Sequence, residues 1–251
     1  MKRFKILLIG DYCLDIYYYG VVTKISPEAP VPILSYQRKE EKDGMAGNVL
    51  KNLEQFPCDV VFQTSGRSIK TRFIDSHSGQ HLLRLDDDPY REPIEIKNFF
   101  NKNNFDAVAI SDYEKGSISY DTVKYVQDNF EGPVFIDTKK KDLVKFEGAF
   151  VKINQKEFRE SITLPQNYLI VTLSERGAKF NEKIFDSYKI PLIDVCGAGD
   201  TFFASLIYQY LNTSDIEEAI NFANRAAAVT VQKIGVYAPS LQEIENLEEV
   251  K

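Results

Sequence analysis

Five short apolar runs, separated by more polar stretches, constrain the fold more than any other feature of the sequence. They are KILLIGD (5–11), DAVAISD (106–112), PVFIDTK (133–139), GAFVKIN (148–154) and YLIVTLS (168–174). Continuous apolar runs of this length are typical of a parallel sheet covered by helices on both faces, which predicts an α/β fold. Ligands bind beyond the carboxyl ends of such strands, so the polar residues that end the runs are site candidates. Each could equally start a turn or cap a helix.

Composition narrows the class of protein. The chain has 251 residues, enough for one α/β domain, and a formal net charge of −6, which argues against a nucleic-acid partner. No apolar run is long enough to cross a bilayer, and MKRFKILLIGDYCLD reaches an acid too early for a signal peptide. The sequence has three widely spaced cysteines, Cys13, Cys58 and Cys196, so we expect the protein to lie in the reducing cytoplasm. We expect Cys196 to be a small buried side chain that fills space in the core.

A proline-rich segment near the N-terminus interrupts the α/β pattern. Residues 15–44 contain three consecutive tyrosines and three prolines, which exclude a central strand or a helix interior where they fall. We interpret YYYGVV and VPILSYQ as edge strands of a projecting flap, and residues 69–86 as a hairpin beside them. Such a flap exposes an apolar face that a ligand or a second subunit must cover, so we expect a homodimer through it.

The last third of the chain is predicted to be helical. From Asp200 onward apolar residues recur at spacings of three and four, which indicates one amphipathic helix. SDIE has the capping-box pattern, so a second helix is expected to begin after Ser214, with Glu217 as its partner, and to stop at Gly235.

The stretch DVCGAGDTF (194–202) leads into the first of these helices. Gly197, Ala198 and Gly199 would leave their amide N–H groups unobstructed where the helix dipole is positive, an arrangement suited to phosphate. An acid there, Asp200, makes sense if its carboxylate faces a hydroxyl that attacks phosphorus. The residues alone leave a purely structural alternative open, in which Asp200 caps the helix and the glycines form a tight turn.

DVCGAGDTF resembles the GAGD signature of the ribokinase-like (PfkB) carbohydrate kinases. Further segments, in order along almost the whole chain, are similar to the D-glycero-β-D-manno-heptose-7-phosphate kinase branch, the kinase half of bifunctional ADP-heptose synthases. They are GDYCLDIYYYG, KISPEAPVP, TRFIDSHSGQHLLRLD, ISDYEKG, IDTKKKDLVKFEGA and INQKEF. The resemblance implies one ribokinase-like domain over residues 1–251, mostly a parallel sheet with helices on both faces, plus a small β flap or lid at about 15–40 and 69–86.

The resemblance also implies an activity. The chain would transfer the γ-phosphoryl group of ATP, with Mg²⁺, to the anomeric hydroxyl of heptose 7-phosphate, giving the 1,7-bisphosphate. With no nucleotidyltransferase segment in the 251 residues, only the kinase step is expected. Two alternatives stay open: a PfkB-type kinase for another sugar or sugar phosphate, and a feebly active ligand-binding homologue.

Site residues follow from the resemblance in groups. The catalytic base and the anion-hole amides fall on Asp200, Gly197, Ala198 and Gly199. Sugar contacts fall on Asp15, Gly44 and Asn48. The nucleotide side falls on Asn154, Glu157, Ser174 and Gly177, with Glu157 as the metal residue. Candidates to bind the substrate phosphate are the basic residues Lys70, Arg72, Arg84 and Lys115.

Three departures from the family pattern bear on substrate choice. Met45 stands where the family normally has a glycine, which predicts a bulky side chain near the sugar. Ile16 stands where the branch usually has arginine, which removes a cation. Between Phe56 and Lys70 the chain lacks about a helix and a strand that the family contains.

Overall fold

The computed structural model describes residues 2–98, 100–101 and 104–247, and the elements named here lie within them. The strands are β1 (Phe4–Gly10), β2 (Tyr12–Ile25), β3 (Pro32–Met45), β4 (Cys58–Gln63), β5 (Arg67–Asp75), β6 (His81–Asp87), β7 (Ala107–Asp112), β8 (Val134–Thr138), β9 (Phe150–Asn154), β10 (Leu169–Thr172), β11 (Ala178–Phe180) and β12 (Lys183–Phe185). The α-helices are α1 (Ala46–Leu53), α2 (Tyr120–Asn129), α3 (Gln155–Glu160), α4 (Ala198–Thr213), α5 (Ile216–Thr230) and α6 (Leu241–Glu245).

The main sheet has eight strands in the order β12-β11-β10-β9-β8-β7-β1-β4. Every pairing from β4 to β10 is parallel. Only the short β11 runs the other way, because it pairs antiparallel with both β10 and β12. All five apolar runs of the sequence are strands of this sheet. The prediction of a mostly parallel α/β sheet is therefore confirmed.

Helices cover both faces of the main sheet, as the alternation along β1 illustrates. Phe4, Ile6 and Leu8 join a core formed with α1, α4, α5 and α6, whereas Leu7 and Ile9 join a second core with α2. All five side chains are buried. Removing each such apolar side chain from water contributes roughly 1.5–3 kcal/mol, so β1 anchors the domain from both sides.

The flap is a separate four-stranded sheet in the order β3-β2-β5-β6. The hairpin predicted around SHSGQ is present as the antiparallel pair β5 and β6. The expectation that YYYGVV is an edge strand is wrong, because β2 lies between β3, which is antiparallel to it, and β5, which is parallel. The prolines do not prevent this, since Pro32 opens the edge strand β3 and leaves β2 free to donate on both sides.

The boundary between α4 and α5 also differs from the sequence prediction. Ser214 ends α4 in the left-handed region, with φ 56°, and the N-cap of α5 is Asp215, whose carboxylate accepts hydrogen bonds from the N–H groups of Glu217 and Glu218. Asp215 displaces Ser214 because its carboxylate reaches both free donors. Helix α5 ends at Thr230, so Gly235 lies in the following loop and is not its stop.

Candidate active site

One cavity, of about 230 Å³, lies where β7, β8 and β9 end and α4 begins. This is the edge of a parallel sheet at which ligands bind. The sequence-predicted residues that line it are Asn154, Glu157, Gly197, Gly199 and Asp200. Segments far apart in the chain thus meet at one site.

Asp200 is buried in the first turn of α4 and is only 8% exposed. Its carboxylate accepts hydrogen bonds from Asn48 Nδ2 at 2.7 Å and from the Tyr113 hydroxyl at 2.8 Å. Burial raises the pKa of Asp200 to about 6. The alternative in which Asp200 caps the helix is wrong, because the N-cap is Gly197, whose φ of 79° suits glycine.

The two partners of Asp200 are fixed by their own elements. Asn48 lies in the first turn of α1 and is buried. Tyr113 follows β7 in a loop that is held by Asp11, whose carboxylate accepts the N–H groups of Tyr113 at 2.8 Å, Lys115 at 3.0 Å and Ser117 at 3.2 Å. Burial also raises the pKa of Tyr113 well above 10, which keeps its hydroxyl a donor.

One of the three predicted anion-hole amides makes a hydrogen bond within its own loop. The N–H of Ala198 donates to the Val195 carbonyl at 3.3 Å, so this amide is not unobstructed as the sequence suggested. Gly199 lies one residue further into α4, where the first turn leaves N–H groups without intrahelical partners. The free donors therefore lie on the helix side of the loop.

Asn154 and Glu157 form a capping box at the start of α3. Asn154 Oδ1 accepts the N–H of Glu157 at 2.9 Å, and Glu157 Oε2 accepts the N–H of Asn154 at 2.7 Å. Burial raises the pKa of Glu157, and its other carboxylate oxygen takes no part in the capping box. No cluster of three or more acidic, histidine or cysteine side chains suited to a metal occurs in the part of the chain that the structure describes.

The flap gathers several sugar-side candidates on one face, which we name the polar flap face: Asp15, Tyr17, Lys70, Arg72 and Arg84. Register places Asp15 beside Lys70, Tyr17 beside Arg72, and Arg72 opposite Arg84. Arg72 Nη1 is 2.5 Å from Asp15 Oδ1, and its guanidinium lies 5.0 Å from the Tyr17 ring centre. Successive residues of a strand alternate between its two faces, so the Ile16 side chain lies on the other face of the flap from Asp15. An arginine in place of Ile16 would therefore not have added a cation to the polar flap face.

Gly44 allows the close contact between β2 and β3 at Asp15. A Cβ atom at Gly44 would lie 2.4 Å from Asp15 Oδ2, closer than any real contact. The neighbouring Met45 is buried and has φ 56°, a conformation that glycine adopts more readily. Met45 thus has a backbone conformation that a glycine, the residue expected at this position, would adopt more readily.

Cys196 directly precedes Gly197 of the GAGD loop. It is exposed, so the expectation of a buried filler is wrong. The hydrogen bond with Asp194 raises the pKa of its thiol, and the charges of Arg72 and Asp15 also act on it. The raised pKa keeps the thiol protonated rather than nucleophilic.

Arg84, Lys115, Ser174 and Gly177 are among the predicted residues that lie outside the lining of the Asp200 cavity. Arg84 donates to both carboxylate oxygens of Asp86 at 2.7 Å, and Lys115 pairs with Asp88 at 2.5 Å. Ser174 and Gly177 form the turn between β10 and β11, where a Cβ on Gly177 would lie 2.0 Å from the Phe185 carbonyl oxygen. That contact alone accounts for a glycine at this turn.

The cavity also contains polar residues that the sequence reasoning missed: Tyr113, Asp137, Lys139 and Lys152. Tyr113 and Asp137 lie at or just beyond the ends of apolar runs, so the rule for strand ends could have found them. Lys152 carried a different signal, a charge inside an otherwise apolar run.

Comparison with solved structures defines the class of fold. The ribokinase of Thermotoga maritima matches with a TM-score of 0.69 at 17% identity, covering 96% of this chain and 98% of that one. The ribokinase of Arabidopsis thaliana, complexed with ribose and ATP, matches with a TM-score of 0.69 at 16% identity, covering 97% of this chain and 98% of that one. The fold is ribokinase-like. The model of the pfkB family carbohydrate kinases matches residues 148–243, which include the GAGD loop.

The curated relatives indicate a narrower group of proteins than the fold does. The bifunctional protein HldE of a Nitratiruptor species is 33% identical over 305 aligned positions, covering 97% of this chain and 65% of the relative. HldE of Campylobacter concisus is 34% identical, covering 98% of this chain and 65% of the relative. These findings confirm the resemblance to the PfkB carbohydrate kinases and to HldE.

This chain is shorter than the HldE relatives that it matches. The chain spans 65% of the length of these HldE relatives. The alignment with the Nitratiruptor protein covers 305 positions, more than the 251 residues of the chain, so that relative contains segments without a counterpart here.

Proposed function

We propose that this chain phosphorylates the anomeric hydroxyl of D-glycero-β-D-manno-heptose 7-phosphate, with ATP and Mg²⁺, to give the 1,7-bisphosphate. The observation that carries the proposal is the buried carboxylate of Asp200, held by Asn48 and Tyr113 beside the glycines at the start of α4. A carboxylate is electrostatically unfavourable beside phosphate unless it has a proton to accept. Its position therefore supports phosphoryl transfer from nucleotide to a hydroxyl group.

Asp200 acts as the general base in this reaction. Asn48 and Tyr113 orient its carboxylate toward the sugar hydroxyl, whose proton it accepts. The hydroxyl oxygen forms a bond to the γ-phosphorus while the bond from that phosphorus to the β–γ bridging oxygen breaks, and ADP leaves with the electron pair. A sugar phosphate, ADP and one proton result. With a pKa of about 6, Asp200 is ionised at pH 7 and still basic enough to take the proton.

The anionic phosphates require partners of their own. The free N–H groups in the first turn of α4 and the positive end of its dipole would hold the transferring group. The residues fit Mg²⁺ carried on the nucleotide, because this ion uses only one or two protein carboxylates and Glu157 keeps one oxygen outside the capping box. Mg²⁺ held there would supply positive charge that offsets the charge of the nucleotide phosphates.

The polar flap face supports a phosphorylated sugar as acceptor. Lys70, Arg72 and Arg84 lie on the same face as Asp15, and a carboxylate can hold sugar hydroxyls at fixed angles. An arginine fork binds phosphate through two parallel hydrogen bonds. The two HldE relatives match this chain over 97% or more of its length, which favours the heptose phosphate over other acceptors.

A second candidate is a kinase for another sugar, and Met45 is the observation that favours it. Met45 is buried next to Gly44, where the family normally has a second glycine. Met45→Gly should then change the KM for the sugar while the KM for ATP stays constant. Unchanged kinetics for both substrates would remove Met45 as an argument about the acceptor.

The experiment that tests the proposal is an ATP-consumption screen with heptose 7-phosphate, fructose phosphates and unphosphorylated hexoses. We expect turnover with the heptose phosphate and its loss in Asp200→Asn. Turnover only with a neutral sugar would favour the second candidate. Nucleotide binding without turnover on any acceptor would overturn the proposed kinase activity and favour a ligand-binding homologue.

Assembly and location are part of the proposal. No helix among the described residues is long and apolar enough to cross a membrane. We propose a cytoplasmic enzyme that forms a homodimer through the flap, with sugar phosphate and ATP as its small-molecule ligands and no nucleic-acid partner.

A further inference from the structure

A lysine lies in the middle of a buried strand beside the candidate active site. Lys152 is the third residue of β9, and its side chain is only 6% exposed. Its Nζ is 2.8 Å from Asp137 Oδ2, and Asp137 stands directly opposite on β8. The lysine and the aspartate thus form an ion pair across two neighbouring strands.

Stability alone does not explain this ion pair. Removing two charges from water costs free energy that their attraction often fails to recover, and apolar pairs of similar size are frequently as stable. An ammonium group also has three donors. In the described part of the chain, the hydrogen bond to Asp137 is the one found for Lys152 Nζ, so donors remain for a ligand.

The ammonium group lies against the GAGD loop. A Cβ atom at Gly199 would be 3.3 Å from Lys152 Nζ, so the glycine permits this close approach. Lys152 also lines the cavity that contains Asp200 and Glu157. The cation is therefore held next to the first turn of α4, where free backbone donors are available to an anion.

The charges of the cavity require such a cation. Its lining contains four acidic side chains, Asp112, Asp137, Glu157 and Asp200, but only two basic ones, Lys139 and Lys152. Asp112 has its own partner in Lys140, at 3.2 Å. The remaining carboxylates would repel nucleotide phosphates unless a positive charge lies close to the group that is transferred.

We propose that Lys152 is a further catalytic residue, whose ammonium group donates to non-bridging oxygens of the γ-phosphoryl group as it passes from ADP to the sugar. Asp137 holds the ammonium in place. Charge on the transferring group is shared by its non-bridging oxygens in the transition state, so a fixed donor there lowers the barrier. This inference rests on the proposed kinase function and assigns that site a protein-borne cation in addition to Mg²⁺.

Lys152→Met tests the inference, because methionine matches the lysine in length and removes the charge. The binding of ADP alone, and of ADP with aluminium fluoride as a mimic of the transferring group, is measured by calorimetry together with kcat. We expect affinity for ADP with aluminium fluoride and kcat to fall by about 100-fold. Affinity for ADP alone should stay within about twofold, because the inference places Lys152 on the γ-phosphoryl group.

Two further variants separate catalysis from folding. Lys152→Arg keeps the charge and should recover part of the loss. Lys124→Met removes a lysine of an exposed ion pair with Asp128 on α2 and should leave binding and turnover unchanged. If Lys152→Met unfolds, Lys152→Arg and Asp137→Asn are compared instead. Asp137→Asn leaves the ammonium without its charged partner, and the same selective loss is expected.

The outcomes distinguish the inference from the proposed function. If the wild-type protein turns over and Lys152→Met keeps wild-type affinity for ADP with aluminium fluoride, the inference is wrong and the function stands. Equal losses for ADP alone and ADP with aluminium fluoride would indicate a structural ion pair and overturn the inference. If the wild-type protein binds no nucleotide and turns over no sugar, both fail.

Discussion

At the scale of the residue, Asp200→Asn separates chemistry from structure. Tyr113 can reverse its hydroxyl and accept a hydrogen bond from the new amide, while Asn48 still donates to the amide oxygen, so the fold should be retained. Without a base, kcat should fall by about two to four orders of magnitude. Paired measurements of Tm and kcat check this. A folded variant with near-normal turnover would remove the catalytic role of Asp200.

The raised pKa of Asp200 predicts a pH dependence of stability with a definite sign. Its pKa is about 6 in the folded protein against 3.8 as the ordinary value, so the folded state binds the proton more tightly. This group's contribution therefore favours folding below pH 4 and is lost as pH rises through 6. We expect the free energy of unfolding of the wild type to decline relative to Asp200→Asn between these values. Denaturant titrations at several pH values measure it, and parallel curves for the two proteins would contradict it.

The Asp200 site shows what the sequence could and could not predict about single residues. GAGD is a local motif, so Asp200 was predictable from its neighbours in the chain. Its partners were not, because Asn48 and Tyr113 lie 152 and 87 residues away and reach it only through the packing of α1 and β7. The N–H of Ala198 is not free because it donates a hydrogen bond to the Val195 carbonyl. That bond depends on the geometry of the loop rather than on its composition, so the sequence could not predict it.

At the scale of the element, the start of α3 separates a capping role from a metal role. Glu157→Gln keeps an oxygen that can accept the N–H of Asn154, so the capping box and Tm should change little. The variant loses the charge that would orient Mg²⁺ and its waters. We expect the Mg²⁺ concentration for half-maximal turnover to rise by about 10-fold to 100-fold.

Glu243→Gln is the matched control for this substitution. Glu243 forms the equivalent capping box with Ser240 at the start of α6 and does not line the Asp200 cavity. Its Mg²⁺ dependence should equal that of the wild type. If Glu157→Gln loses stability but keeps the wild-type Mg²⁺ dependence, Glu157 serves α3 alone.

The elements were predictable where both faces are buried. The five apolar runs became strands because each is covered by helices on both sides of the main sheet, which leaves no polar alternation. The position of β2 was not predictable, since three tyrosines suit an edge or a centre equally and the partner β5 comes much later in the chain. β11 and β12 have only three residues each, too few for a recognisable period.

At the scale of the whole molecule, the flap has a second surface on which apolar side chains are exposed. We name it the apolar flap face: Ile16, Tyr18, Tyr36, Phe73, Leu83 and Leu85. Tyr18 stacks on Phe73 with ring centres 5.4 Å apart and meets Tyr36 edge-on at 6.2 Å. Leu83 and Leu85 are each 59% exposed, and Tyr36 is 65% exposed. The polar flap face lies on the opposite side of the same sheet.

A homodimer through the apolar flap face is the expected occupant of this surface. A contiguous apolar face on a sheet marks an interface, and two copies of one face can cover each other about a two-fold axis. The double variant Leu83→Lys with Leu85→Lys adds like charges to both sides of that contact and should be monomeric at micromolar concentration, whereas the wild type is expected to be dimeric. Ile184→Lys, at an exposed isoleucine of β12 in the main sheet, is the control and should remain dimeric. Sedimentation velocity reports the mass of each protein. A monomeric wild type, or a double variant that still dimerises, would show that the apolar flap face is not the interface.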